Sequence, residues 1–354
     1  MRKLLLILLC CTLLTGCVPV DAGTVPPTEP TGETEALTAV APRKENYDPY
    51  LVIFPYQING YGFDGELHLD GDGIYYSYEG GEMCITAFHQ ARGLSQKGIA
   101  LFLYVDGRPQ PFHTEERPRD AYMHMIYPEN GVDTFTDIYF TPVVGEEGDT
   151  LEISLLSMTN PDCYLDFMEN NVRNSFSLDV CSTTVRMKYN ATPPDCDLPS
   201  VTDRLISVTS YTEPRASQQV YEKEVDWSLY LDHYFATGGI QTLKGDTETQ
   251  TLTFRLWGDP VAEFGLIFYI DHQPVSVAPE DILLVQPSEG ENLVVQVELD
   301  LSDFRAQSLI YAVLVPRNVQ RELLEASCDL RVSGMFCLLG DDDPRIIAEV
   351  PTTP

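Results

Sequence analysis

An internal duplication constrains this 354-residue sequence more than any other feature. GIALFLYVDGRPQPF (98–112) matches FGLIFYIDHQPVSV (264–277), with Tyr104 on Tyr269, Val105 on Ile270, Asp106 on Asp271 and Pro109 on Pro274. Each copy is a long apolar run of strand-forming residues ending in Asp, a two-residue step and Pro. That is the composition of a β-strand entering a tight turn. Downstream, each copy passes through a turn and an alternating strand, then a second apolar strand that closes near Asn160-Pro161 or Val315-Pro316. The repeat predicts two related modules in tandem, with one larger sandwich of two similar halves as the alternative. The segment NATPPDCDLPS (190–200) between the copies is a linker by composition and favours separate modules.

Around the duplication the pattern is almost entirely strand-like. GIYYSY (73–78), CITAF (84–88), FTDIYFTPVV (135–144), QTLTFRLW (250–257) and SLIYAVLV (308–315) are typical: short, rich in Ile, Val, Phe and Tyr, and bounded by turn residues. The expected fold is all-β, with two tandem immunoglobulin-like β-sandwich modules built from antiparallel sheets packed face to face. The first spans 47–190 and the second 204–340, joined by a linker at 191–203 and followed by an acidic, Pro-rich tail at 341–354. YLVIFPY (50–56) is a further expected strand, and only VQRELLEAS (319–327) has helical character.

The chain begins MRKLLLILLCCTLLTGC. Two basic residues precede an apolar run of about 11 residues, which reaches roughly 17 Å and falls short of a roughly 30 Å hydrocarbon core. Such a segment reads as a secretory signal rather than a membrane span. Within it, Leu14-Thr15-Gly16-Cys17 resembles the lipobox of bacterial lipoproteins. The resemblance implies cleavage after residue 16, a diacylglyceryl thioether and further acyl chain (such as palmitate) on Cys17, and anchoring to the outer face of a bacterial membrane, facing the cell surface or the periplasm. Residues 18–46, rich in Pro, Thr, Glu and Ala, show neither helical nor strand period. They cannot bury enough apolar area to offset chain ordering, so they read as a disordered tether averaging about 30 Å end to end. Tether plus tandem sandwich is similar to the general class of surface lipoproteins with immunoglobulin-like ectodomains.

Charge narrows the partners. Without Arg2 and Lys3 the sequence carries 20 Lys plus Arg against 54 Asp plus Glu, a formal −34. Nucleic acid is excluded, because phosphate binding needs concentrated positive charge. Apart from the bilayer engaged through the Cys17 acyl chains, the expected partner is an envelope protein or a glycan. The expected role is a non-catalytic binding or scaffolding module, with envelope assembly and glycan binding or glycan chemistry as alternatives.

No motif for catalysis is present: no HExxH, no GxSxG, no CxxC, no phosphate-binding glycine run. The six histidines are scattered. Asp106 and Asp271 recur, and strand-end aspartates of this kind accept backbone hydrogen bonds and set turns. Asp70, Asp72 and Glu79, around LDGDGIYYSYEG, are candidate calcium ligands, although their spacing departs from the EF-hand loop. Tyr75, Tyr76 and Tyr78 lie on the same hairpin and offer an aromatic binding face or a sandwich core and rim. Beyond Cys17 there are six cysteines, an even number that permits disulfides in an exported chain. CDLRVSGMFC (328–337) reads as two short strands around Ser333-Gly334, so a Cys328–Cys337 bridge across a hairpin is expected. Aromatics aligned on one sheet face would favour glycan binding, an acid pair across a groove an enzyme, and a flat apolar strand edge a protein partner.

Overall fold

A computed structural model describes residues 57–64, 68–70, 73–92, 98–129, 131–159, 161, 180–196, 198–199, 201, 205–214, 230–233, 249–257, 263–275, 282–286, 291–300, 308–317, 330–333 and 336–338. The signal, Cys17, the tether, Asp72, YLVIFPY, VQRELLEAS, Cys328 and the C-terminal tail lie outside them. Residues Tyr47–Pro354 form one compact unit. Strands are numbered β1 to β22 along the chain.

The described residues are all-β and form four sheets in two sandwiches. In the first half, the outer sheet runs β1 (Gln57–Asp64), β4 (Met83–Arg92), β10 (Asp133–Phe140), β7 (Phe112–Thr114), β8 (Arg117–Ala121). The inner sheet runs β2 (His68–Asp70), β3 (Gly73–Tyr78), β12 (Val180–Tyr189), β11 (Thr150–Thr159), β5 (Ile99–Val105), β6 (Arg108–Gln110), with β9 (His124–Ile126) also on β5. In the second half the outer sheet is β13 (Leu205–Pro214), β19 (Glu291–Asp300), β15 (Thr249–Trp257), β14 (Tyr230–His233). Its inner sheet is β17 (Gln273–Pro274), β16 (Glu263–Ile270), β20 (Ser308–Arg317), β21 (Arg331–Val332), with β18 (Leu283–Val285) on β16 and β22 (Phe336–Leu338) on β20.

The expected sandwiches are therefore present, with three local differences. The sheets are not wholly antiparallel, because β12 and β3 run parallel from Arg186↔Tyr75 to Tyr189↔Tyr78. The strand β1 was hidden in the sequence by its glycines, QINGYGFD, yet it pairs with β4 from Gln57↔Arg92 to Asp64↔Thr86. The segment around Ser333-Gly334 is not a hairpin. Both β21 and β22 pair antiparallel with β20, Leu314↔Arg331 and then Leu309↔Cys337, so they lie end to end along one neighbour. Ser333 bridges them by donating its amide to the Ala312 carbonyl and accepting the Ala312 amide on Oγ. Among the described residues β21 and β22 therefore pair with β20, and Cys328 lies outside them.

Three cores hold the unit together. One fills the first sandwich around Tyr78, Leu101, Leu103, Phe112, Phe140 and Leu155. A second fills the other sandwich around Phe254, Phe264, Phe268, Val295 and Leu314. The third lies between the two inner sheets and joins Phe102, Tyr104, Leu156, Met158 to Ile267, Tyr269, Tyr311 and Val313. This explains why IALFLYV and most of SLIYAVLVPR are apolar at successive positions: every residue of β5 and all but the last of β20 are buried, half toward one core and half toward another. Strands covered on both faces read as continuous apolar runs, whereas the half-exposed β10 alternates.

The duplicated residues meet at this central core. Tyr269 donates its hydroxyl hydrogen to Tyr104, 3.0 Å away, although they are equivalent positions of the two copies. The ring of Tyr269 also stands edge-on to Phe102, with centroids 5.6 Å apart. Equivalent positions of the two copies thus face each other across the central core. A side chain at Gly265 would collide with the Gly107 carbonyl, so the backbone of one copy sits directly against the turn of the other.

His89 on β4 is fully buried and hydrogen-bonded to Ser157 Oγ at 2.9 Å. Burial lowers its pKa from 6.5 to about 4. The folded state therefore resists protonation that the unfolded chain accepts. Stability is unaffected above pH 6.5 and falls as pH drops from 6.5 toward 4, by about 3 kcal/mol when complete. Urea unfolding at successive pH values should show this slope, and His89→Leu with Ser157→Ala should flatten it. Gly265→Val should lower the unfolding midpoint by the equivalent of about 1–3 kcal/mol, read in the same assay.

Candidate binding face

The outer face of the first sandwich carries the most distinctive surface. On β10 the burial pattern turns Ile138 and Phe140 into the core, so Asp133, Phe135, Asp137 and Tyr139 point outward. On β4 Ile85, Ala87 and His89 are buried, which leaves Cys84, Thr86, Phe88 and Gln90 on the same outer side. Register then aligns these residues in rungs: Gln90 with Asp133, Phe88 with Phe135, Thr86 with Asp137, Cys84 with Tyr139. Successive rungs are about 6.8 Å apart.

The rungs alternate in chemistry. Gln90 Nε2 donates to Asp133 Oδ1 at 2.7 Å, and Thr86 Oγ1 donates to Asp137 Oδ1 at 2.7 Å. Between them Phe88 and Phe135 pack with ring centroids 5.3 Å apart, and Phe135 is 56% exposed. Gly62 of β1 is the register partner of Phe88 on its other side. At the far end His113 stacks on Tyr139, with centroids 5.4 Å apart and planes 16° apart. His113 Nδ1 lies 2.9 Å from Asp120 Oδ1, and Nε2 lies 3.6 Å from Glu82 Oε1. Tyr139 donates its hydroxyl hydrogen to Glu115 Oε1 at 3.4 Å.

Cys84 and Tyr139, at one end of this face, hold their protons to higher pH than usual. Cys84 is a free, exposed thiol whose pKa is raised, first by desolvation and then by the Asp137 charge. A raised thiol pKa holds the side chain in its poorly nucleophilic form. Tyr139 is pushed up to about 12 by desolvation and by neighbouring Cys84 and Glu115. Beside the face, a cleft of about 490 Å³ opens between β3 and β4, lined by His68, Tyr76, Tyr78, Glu79, Glu82 and Cys84. Its carboxylates are exposed surface groups, and Glu79 Oε1 accepts from Asn190 Nδ2 at 2.7 Å.

Of the calcium candidates, the backbone of Asp70 and Glu79 is described, and Asp72 lies outside the described residues. Asp70 pairs with Gly73 at the start of β3, whereas Glu79 follows its end at Tyr78. A six-residue strand separates them, about 20 Å of extended chain. The described backbone thus places Asp70 and Glu79 at opposite ends of β3. Tyr76 and Tyr78 are core residues, and Tyr75 lies under the Lys188 ammonium at 4.1 Å. Among the described residues no group of three His, Cys, Asp or Glu is placed to hold a metal ion.

The recurrent aspartates serve the fold, and differently in each copy. Asp106 and Gly107 have φ of 48° and 74°, and Asp271 and His272 have 49° and 64°. With Val105↔Arg108 and Ile270↔Gln273 paired, both are two-residue hairpins of the primed type that follows strand twist. Asp271 accepts the Leu309 amide and the Ser308 hydroxyl, both at 2.9 Å. Asp106 instead reaches into the other half, where Oδ2 accepts from Arg317 Nη2 at 2.7 Å, and Arg317 Nε lies 3.3 Å from Glu263. Burial raises the Asp106 pKa, against the opposing pull of Arg317 and Arg108.

No family model matches the chain, and no curated protein matches it. Solved structures align with it at low identity. A chimeric titin Z1Z2 tandem carrying a fibronectin peptide aligns at 10% identity and TM-score 0.18, over 79% of this chain and 99% of its own. CBD12 from CALX1.2 aligns at 7% and 0.15, over 67% and 76%. A bacterial ice-binding adhesin aligns at 10% and 0.19, over 81% and 65%.

Arg317→Ala should strand the Asp106 carboxylate and cost roughly 3 kcal/mol. Chemical denaturation will read this loss, and adding Asp106→Asn to the same chain should restore part of it.

Proposed function

We propose that the chain is a lipid-anchored surface protein of a bacterial envelope, that its work is binding or scaffolding rather than catalysis, and that it meets its ligand with the outer face of the first sandwich. The anchor rests on the apolar leader ending in Leu14-Thr15-Gly16-Cys17. The tether at 18–46 lifts the sandwiches clear of the headgroups. The observation that carries the binding role is the Phe88–Phe135 pair, an aromatic cluster left open to solvent at the centre of a sheet face and rimmed by polar rungs. Large exposed aromatics surrounded by polar groups are the usual anatomy of an interface.

Two measurements test the reading. Growth with a palmitate analogue should label the wild-type chain and leave Cys17→Ser unlabelled and released from the membrane fraction. Equal labelling of both would remove the anchor. In binding to envelopes of the producing cell, Phe135→Ala should weaken association about tenfold without lowering the unfolding midpoint. Unchanged association would move the binding site elsewhere.

A further inference from the structure

The occupant of this face can be read from its pattern, on the premise that the face is the binding surface. Along β10 the outward side chains are Asp133, Phe135, Asp137 and Tyr139, an alternation of carboxylate and aromatic at about 6.8 Å. Glu82, Glu115 and Asp120 extend the acidic rim around the Tyr139 end. The aromatic rings do not form a platform for sugars. His113 and Tyr139 are nearly parallel, and turn their faces toward each other rather than outward. The Phe88 and Phe135 rings are likewise engaged with each other at 44°. Sugar rings stack on flat, open aromatic faces, whereas these rings are paired with each other.

A polypeptide with the complementary alternation fits both features. We propose that the face docks an extended, basic segment of a protein partner, one in which Lys or Arg alternates with large apolar residues. The two-residue period of a β-strand places cationic side chains over Asp133 and Asp137, and apolar ones beside Phe135 and Tyr139. Charge complementarity supplies approach and register, and the desolvated aromatic pair supplies the anchor. The formal −34 of the chain without Arg2 and Lys3 makes a second copy of itself an unfavourable occupant.

The test uses the full lipidated chain in non-ionic detergent, with calorimetry as the readout. The probes are a synthetic peptide alternating Lys and Leu, a control alternating Lys and Gly, and a β-1,4-linked N-acetylglucosamine oligomer. The Lys-Leu peptide should bind more tightly than the Lys-Gly control. Phe135→Ala and the double variant Asp133→Lys/Asp137→Lys should each weaken it at least about tenfold. Glu146→Lys/Glu147→Lys, an exposed acidic pair on the loop before β11, should leave it unchanged. Equal weakening by that remote pair, or indifference to Phe135→Ala, would overturn the proposal as nonspecific charge attraction. Binding of the glycan with dependence on Phe135 would overturn the protein occupant while retaining the face. Failure of all probes here, with Phe135-dependent binding to native envelopes, would likewise reject the alternating basic segment and leave the face standing.

Discussion

The burial of two sheets against each other at the centre of the unit is the interaction on which the rest of the structure depends. Each sandwich has its own core, yet β5, β11, β16 and β20 have apolar side chains on both faces. Without the partner half, Phe102, Tyr104, Tyr269 and Tyr311 would stand in water. At about 25 cal/mol per Å² of apolar surface, several such aromatics outweigh the individual polar contacts of the interface. The Tyr104–Tyr269 hydrogen bond satisfies two buried hydroxyls and fixes the register of the halves more than it adds net energy. Arg317, held between Asp106 and Glu263, works in the same sense at the border.

That central core also explains how the copies diverged. A turn of Asp plus one residue at positive φ closes both hairpins, but the surroundings differ. In the first copy the second position is Gly107, which lets the Gly265 backbone approach. In the second it is His272, whose Nδ1 lies 3.0 Å from the Tyr311 hydroxyl. One aspartate keeps the local job of capping neighbouring backbone, and the other has been recruited to an ion pair across the interface.

With the inner sheets packed against each other, the outer sheet faces among the described residues are open to a partner. Of these, the face of β4 and β10 combines exposed aromatics with ordered carboxylates, and Cys84 and Tyr139 at one end of it hold their protons to higher pH than usual. A rigid sheet holds those side chains in fixed register, which favours recognition of an extended partner.

The sequence by itself determined the strands, the all-β class and the repeat. Period-two alternation and turn residues are local properties, and they located β3, β5, β16 and β20 nearly to the residue. The lipobox resemblance at Leu14-Thr15-Gly16-Cys17 is also local. The glycine-rich β1 escaped because its strand character comes from pairing with β4, not from its own propensity. The expected hairpin at Ser333-Gly334 failed because a turn composition also suits a break in one strand that is held by β20. The aromatic face was invisible for a related reason: Phe88 and Phe135 are 47 positions apart, and only the antiparallel register of β4 and β10 makes them neighbours. Long apolar runs marked these strands in the sequence, but not that they are covered on both sides, nor by what. That was decided by tertiary structure, where equivalent residues of the two copies meet and the second cover of each inner sheet is the other half of the chain.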